Sequence, residues 1–399
     1  MSIRFGVSPI AWINDDMPEL GGDTPLSTVL SDTRDIGFTG IELGGRFPRD
    51  PAILRDLLGG YGLDLVGGWY SGNLLTQDAA AEIAALQSHL ALLKALGTDV
   101  FVFAETSNAI HCRREIPLND TPCLSVEEWK RFGTRLTEVA DYLKGQGMRM
   151  AYHHHLGTVV ERPADLGAFL LHTGPSVGLT VDTGHAVLGG VDPLALLRDH
   201  PERVAHVHCK DVRRDVFARV RETGMSFLDG VLAGMFTVPG DGGIDFGAVM
   251  NTLADIGYSG WVIVEAEQDP AIAPPAHYGR IGIRTLGEAA AAAGLEVVGR
   301  GAWAGCAFAP PPLTRMAAPS WSPRKAPAGA MSASPCIIFG RGKSCPAWNR
   351  IGNSALSLFR GRHGSLPASP TWASPADGKA PLSTPPPAPP ISPPARPIR

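Results

Sequence analysis

The sequence predicts an α/β protein built as a single (β/α)8 TIM barrel, followed by a disordered, proline-rich C-terminal tail. Three observations carry that expectation. Eight short apolar runs alternate with eight helical patterns inside residues 1–297, the size and rhythm of a parallel barrel. The fifth to eighth runs each end in imidazole or carboxylate chemistry, as side chains converging on one barrel rim would. An open doubly wound sheet would carry a glycine-rich phosphate turn after its first strand, but Ser8-Pro9-Ile10-Ala11-Trp12 stands there instead.

In order, apolar strands are expected at residues 3–8, 40–43, 63–70, 99–104, 148–154, 177–181, 203–208 and 260–265. Helices are expected at 25–36, 51–61, 77–96 (a long Ala/Leu-rich stretch), 125–145, 163–172, 192–199, 246–256 and 276–293. Residues 213–243 read as an irregular insertion between the seventh strand and its helix.

Charge divides the chain. Residues 301–399 hold eleven Lys/Arg and one acidic residue, Asp377, which leaves 24 basic and 38 acidic residues in 1–300. So acidic a body lacks the basic surface that nucleic-acid binding needs, and no nucleic-acid partner is expected. No apolar run approaches the roughly 18 residues of a membrane span, and residues 1–5 lead straight into a strand without a secretory leader. The expectation is a cytoplasmic protein with no membrane partner. Six cysteines are scattered without the CxxC spacing of a zinc or redox site. The tail, residues 298–399, carries 20 of the 35 prolines between Pro310 and Pro397. It reads as disordered or as a proline-rich docking segment, and its composition also matches out-of-frame translation of GC-rich sequence.

The strand ends bear the chemistry. Met150-Ala151-Tyr152 runs into His153-His154-His155, residues 177–181 into Asp182-Thr183-Gly184-His185, and Val204-Ala205 into His206-Val207-His208-Cys209-Lys210-Asp211. Trp261-Val262-Ile263-Val264 leads into Glu265-Ala266-Glu267. Asp182, His208 and Glu265 offer two carboxylates and an imidazole to one metal ion, with His153 or Glu161 as the fourth ligand. Mixed imidazole and carboxylate donors with open positions suit catalytic Mn²⁺, Co²⁺ or a similar ion better than a closed structural zinc. Side chains alternate along a strand, so His153 and His155 share one face and His154 points toward the helical layer. Each residue also has a plainer reading: Asp182 as a helix N-cap, Lys210 and Asp211 as a surface ion pair, His111 as a solvated loop residue. Glu42, Trp69-Tyr70 and Glu105 end strands two to four as weaker rim candidates, the aromatic pair as a wall for a ring-shaped ligand.

These segments resemble the xylose-isomerase-like superfamily of barrels: Asp182 followed three residues later by His185, then His208 before Asp211, then Glu265. Within it, residues 6–12, 152–158, 206–211 and 264–270 look like the myo-inosose-2 dehydratase (2-keto-myo-inositol dehydratase) family of inositol catabolism, over about residues 1–297. The resemblance implies a carbon–oxygen lyase removing water from 2-keto-myo-inositol, a small polyhydroxy cyclic ketone, to give 3D-3,5/4-trihydroxycyclohexane-1,2-dione. It implies cobalt or manganese, with glutathione as an added cofactor. For that reaction His155 is expected as the acid/base, Glu265 as ligand or second base, and Lys210 to steady the enolate oxygen. A metal-dependent ketose epimerase or isomerase would use the same ligands. An abasic-site endonuclease would need extra histidines where Glu42 and Trp69-Tyr70 stand.

Overall fold

The computed structural model describes residues 1–299. Eight strands run parallel in chain order: β1 (Ser2–Val7), β2 (Gly40–Leu43), β3 (Asp64–Gly72), β4 (Val100–Glu105), β5 (Arg149–His153), β6 (Val177–Asp182), β7 (Val204–Cys209) and β8 (Gly260–Val264). Each pairs with the next, and β8 pairs with β1 from Ile3↔Gly260 to Val7↔Val264, so the sheet closes into a barrel with no open edge. A two-residue strand, Glu296–Val297, adds to the start of β1. The expected tail from residue 300 onward lies outside the described residues. Among the described residues, no helix is long and apolar enough to cross a membrane.

Alternation sorts the two layers of core. Phe101 and Phe103 of β4 and Tyr152 of β5 point outward and join Phe132 and Phe169 of the surrounding helices. Val100 and Val102 point inward onto Ala151 and Ala205. At the barrel floor, Gly40 makes room for the Trp261 ring, which a Cβ there would meet at 2.5 Å. The β6–β7 register slips between Leu179↔Val204 and Thr180↔His206, leaving Ala205 as the extra residue. The slip lets Ala205 join the inner core while His206 and His208 also reach the interior, where both meet Glu42.

Three expectations about elements are corrected. The helix expected at 77–96 is two, Ala79–Ala85 and Gln87–Ala95, because the backbone at Leu86 (ψ −5°) ends one and caps the next. A helix, Thr183–Gly189, precedes Pro193–Asp199 after β6; its seven residues are too short for a periodic signal. The supposedly irregular insertion folds into Arg214–Thr223, Phe227–Leu232 and an antiparallel ribbon pairing Asp211–Val212 with Phe236–Thr237. Its apolar faces bury Val216, Val220, Phe227, Val231 and Phe236 against Leu156 from the loop after β5 and Leu188 from the helix Thr183–Gly189. The insertion is thus a roof with its own small core beside the C-terminal rim.

Candidate active site at the barrel rim

His153 ends β5, Asp182 ends β6, His208 lies one residue before the end of β7 and Glu265 directly follows β8. One donor atom from each lies within 4.8 Å of all the others, and all four residues are buried. His153 Nε2 and His208 Nδ1 each stand 3.7 Å from Asp182 Oδ2, and His208 Nδ1 also touches Glu265 Oε2. Asp182 answers both readings of it with different atoms. Its Oδ1 accepts from His185 N at 2.8 Å as the N-cap of Thr183–Gly189, while Oδ2, buried without a hydrogen-bond partner, faces the other three. Separations of this size are what about 2.0–2.2 Å bonds to a shared ion produce. The donor set therefore fits a divalent cation.

Beside this quartet lies a second cluster, His155, His185 and Glu267, also within 4.8 Å of one another. The His155 and His185 rings stand 3.8 Å apart by centroid. Lys210 joins the two clusters. Its buried ammonium donates to Glu265 Oε1 (2.8 Å) and Glu267 Oε1 (2.5 Å), lies 2.9 Å from His185 Nε2, and sits 4.6 Å over the Phe236 ring. Thr183 holds its backbone at both ends, accepting from Lys210 N and donating to Lys210 O. Gly184 clears its side chain, since a Cβ there would meet Lys210 Cγ at 2.8 Å. The surface ion pair with Asp211 is thus corrected. Both residues are fully buried, and Asp211 accepts instead from the backbone N–H groups of Gly240, Gly242 and Ile244.

The electrostatics follow from burying several carboxylates around one ammonium. Burial alone would raise Asp182 and Glu265, but Lys210 above all holds both below the usual carboxylate range. Glu267 shares the same ammonium with less help, and burial pushes it up to about 7. Burial lowers His155 and His185 well below the ordinary imidazole range, so both are neutral. His155 Nδ1 lies 2.7 Å from Leu156 O, so it donates and leaves Nε2 with the lone pair.

The remaining candidates separate clearly. Glu161 is kept from the quartet by its own partners: it accepts from Gly157 N and Thr121 Oγ1 at 2.7 Å and pairs with Arg221 at 2.6 Å. His154 is buried and belongs to neither cluster. His111 is not solvated; it packs 4.9 Å from His155 and near Trp69 and Phe227. Trp69 is exposed at the rim, its ring steeply inclined to those of His153 and His155, whereas Tyr70 turns outward to Glu82. Glu105 is buried away from the quartet, accepting from Leu74 N and from Ser107, with burial raising it to about 7. The Cys209 thiol belongs to the outer core, and burial raises it well above the usual thiol range, which makes it inert. Sequence reasoning underrated Glu42, which accepts from both His206 and His208. The available signal was a lone carboxylate within the short strand Gly40–Leu43.

The model of a family described as "Xylose isomerase-like TIM barrel" matches residues 30–289. The chain is 47% identical over 297 residues to the rhizopine catabolism protein MocC of Rhizobium meliloti, covering 74% of this chain and 91% of that one. It is 42% identical over 278 residues to an inosose dehydratase of Geobacillus thermodenitrificans, covering 69% and 93%. Among solved structures, a xylose isomerase domain protein from Alicyclobacillus acidocaldarius superposes with a TM-score of 0.53 at 22% identity, over 73% of this chain and 99% of that one.

Proposed function

The chain belongs to the xylose isomerase-like TIM barrel family, and we propose that it is a hydro-lyase that removes water from 2-keto-myo-inositol to give 3D-3,5/4-trihydroxycyclohexane-1,2-dione. One observation carries this reading. A buried four-donor cluster suited to a divalent ion lies beside a neutral imidazole with a free lone pair and a buried ammonium. Elimination next to a ketone needs that combination. The shared name of the inosose dehydratase relatives, at 39–42% identity, supports the substrate.

His153, Asp182, His208 and Glu265 would hold the ion, which when bound supplies Lewis-acid polarisation of the ketone. His155, through Nε2, takes the proton from the carbon next to the carbonyl. The electron pair of that C–H bond moves toward the carbonyl, and Lys210 favours the negative charge that develops on oxygen. The hydroxyl on the following carbon then breaks its C–O bond, takes the proton that His155 has accepted and leaves as water, which returns His155 to its neutral form. The remaining enol carries a hydroxyl on its double bond and tautomerises to the dione, so the atoms balance as substrate minus water. Glu265 serves as ligand or as a second base. Phe227 and Phe236 wall the acid–base side against water, and Trp69 offers a flat face for a ring-shaped polyol. Mixed nitrogen and oxygen donors favour Mn²⁺ or Co²⁺. A glutathione requirement rests on the family resemblance and has no part in these steps.

The test is metal analysis of the purified chain, followed by turnover of 2-keto-myo-inositol by the chelated form with and without added Mn²⁺ or Co²⁺. Activity is expected to vanish on chelation and return with the ion, with dione as product. Full turnover under chelator would sink the metal assignment. Isomerised ketone without dione would replace the dehydratase by an epimerase or isomerase. The 47% identity to a protein named for rhizopine catabolism supports a second reading, the same chemistry on a compound of rhizopine catabolism. A kcat/KM on such a compound well above that on 2-keto-myo-inositol would select it.

A further inference from the structure

His208 presents one nitrogen to the quartet and the other to the opposite side of the barrel. Its Nδ1 faces Asp182 Oδ2 and Glu265, whereas Nε2 lies 3.0 Å from Glu42 Oε1. Glu42 comes from β2, which is not a neighbour of β7 in the sheet order, so it reaches across the interior to make this contact. The same oxygen stands 3.1 Å from His206 Nε2. All three residues are buried.

We propose that Glu42 is the positioning residue of the metal site, fixing which nitrogen His208 presents to the ion, and that His206 is the clamp that holds Glu42 in place. This role rests on the metal reading above and on the geometry of the three side chains. An imidazole turned into a ligand must show the ion a lone pair, and a neutral ring has only one. A carboxylate oxygen at 3.0 Å has only acceptor capacity, so the proton goes on Nε2 and the lone pair on Nδ1, the atom that faces the quartet. A single hydrogen bond would let the Glu42 side chain swing about it. The second donor, His206, comes from the same strand two residues earlier and meets the same oxygen, so the carboxylate is fixed against both rings. This accounts for the otherwise idle pair His206 and Glu42, and it explains why the β6–β7 register slip, which helps bring His206 to the interior, matters to the rim.

The test is Co²⁺ titration of the chelated full chain, by calorimetry and by the visible absorption of bound Co²⁺, with melting of each metal-free variant as the folding control. Wild type is expected to take up one Co²⁺ per chain. Glu42→Ala is expected to weaken binding about 10- to 100-fold and to shift the absorption bands, as loss of such an outer partner does. Glu42→Gln, whose neutral amide oxygen accepts from the two rings more weakly than a carboxylate, falls between, and His206→Ala gives a smaller loss than Glu42→Ala. Folded Glu42→Ala with wild-type affinity and spectrum would overturn the proposal. If that variant does not fold, Glu42→Gln decides, and a change below about 3-fold with an unmoved spectrum overturns it equally. Two Co²⁺ per wild-type chain, one of them lost in Glu42→Gln, would make Glu42 a ligand itself and overturn it as well. A wild type that binds no Co²⁺ would instead remove the metal reading, and the positioning role with it.

Discussion

Replacing Lys210 by Met keeps most of the apolar stem of the side chain and deletes the ammonium, with its charge and its donors. The structure sets what is lost: hydrogen bonds of 2.8 Å to Glu265 and 2.5 Å to Glu267, and a 3.9 Å approach to Asp182, all at full burial. Removing one partner of a buried ion pair costs about 3–5 kcal/mol, because the other charge is left unpaired. For a barrel of this size that lowers the melting temperature by on the order of 10 °C. Losing a preorganised donor for developing negative charge costs about 10²- to 10³-fold in kcat. The two effects separate in the double variant Lys210→Met/Glu267→Gln. There one of the three carboxylates around the missing ammonium is neutral, so part of the stability returns while kcat stays low. Melting curves and initial rates of dione formation, taken for wild type, Lys210→Met, Glu267→Gln and the double variant, give both cycles. A Lys210→Met enzyme within 3-fold of wild-type kcat would refute the catalytic role. Recovery of kcat together with stability in the double variant would show that Lys210 acts only by holding the site together.

Further outcomes follow from other residues. Asp182→Asn keeps the N-cap, because its amide oxygen still accepts from His185 N, but loses the charged oxygen that faces the quartet. The expected result is near-wild-type melting of the metal-free chain with Co²⁺ affinity reduced at least 100-fold, and unchanged affinity would leave Asp182 a cap alone. Glu105 titrates at about 7 in the fold against an ordinary 4.5, so its contribution to stability is fully present below pH 4.5 and lost as pH rises through 7. The stability of Glu105→Gln relative to wild type should therefore rise by about 3 kcal/mol between pH 4.5 and 8 in urea denaturation; a flat difference would contradict the burial argument. Arg221→Met cuts the 2.6 Å pair with Glu161 that ties the roof insertion to the loop after β5. Because Arg221 is partly exposed, the expected loss is about 1–3 kcal/mol, with proteolysis beginning inside residues 213–243, and cleavage elsewhere at an unchanged rate would argue against the tie.

Much of the barrel and half of the site were legible in the chain itself, because both rest on local rules. Short apolar runs bounded by turn residues mark strands, and their count and spacing leave few architectures besides a closed parallel barrel. The period of two along a strand pairs His153 with His155, His206 with His208 and Glu265 with Glu267, whatever the rest of the fold does. Only the closed barrel decided how those pairs divide. The stagger of neighbouring strands sends His153, His208 and Glu265 to one cluster with Asp182, and His155 and Glu267 to another with His185. Glu161, near in sequence to the strand-five histidines, is drawn off by Arg221 and Thr121, and His111 is buried because the insertion brings Phe227 over it. Lys210 was a candidate for steadying the enolate oxygen, with a surface pair to Asp211 as its plainer reading; only the fold shows it buried, as the link between two clusters. Glu42 shows the limit most plainly, since its partners are 164 and 166 residues away on a strand it does not pair with. Periodicity reports which face of its own element a side chain takes; which distant side chains share that face is set by strand register and barrel closure, and no local pattern encodes those.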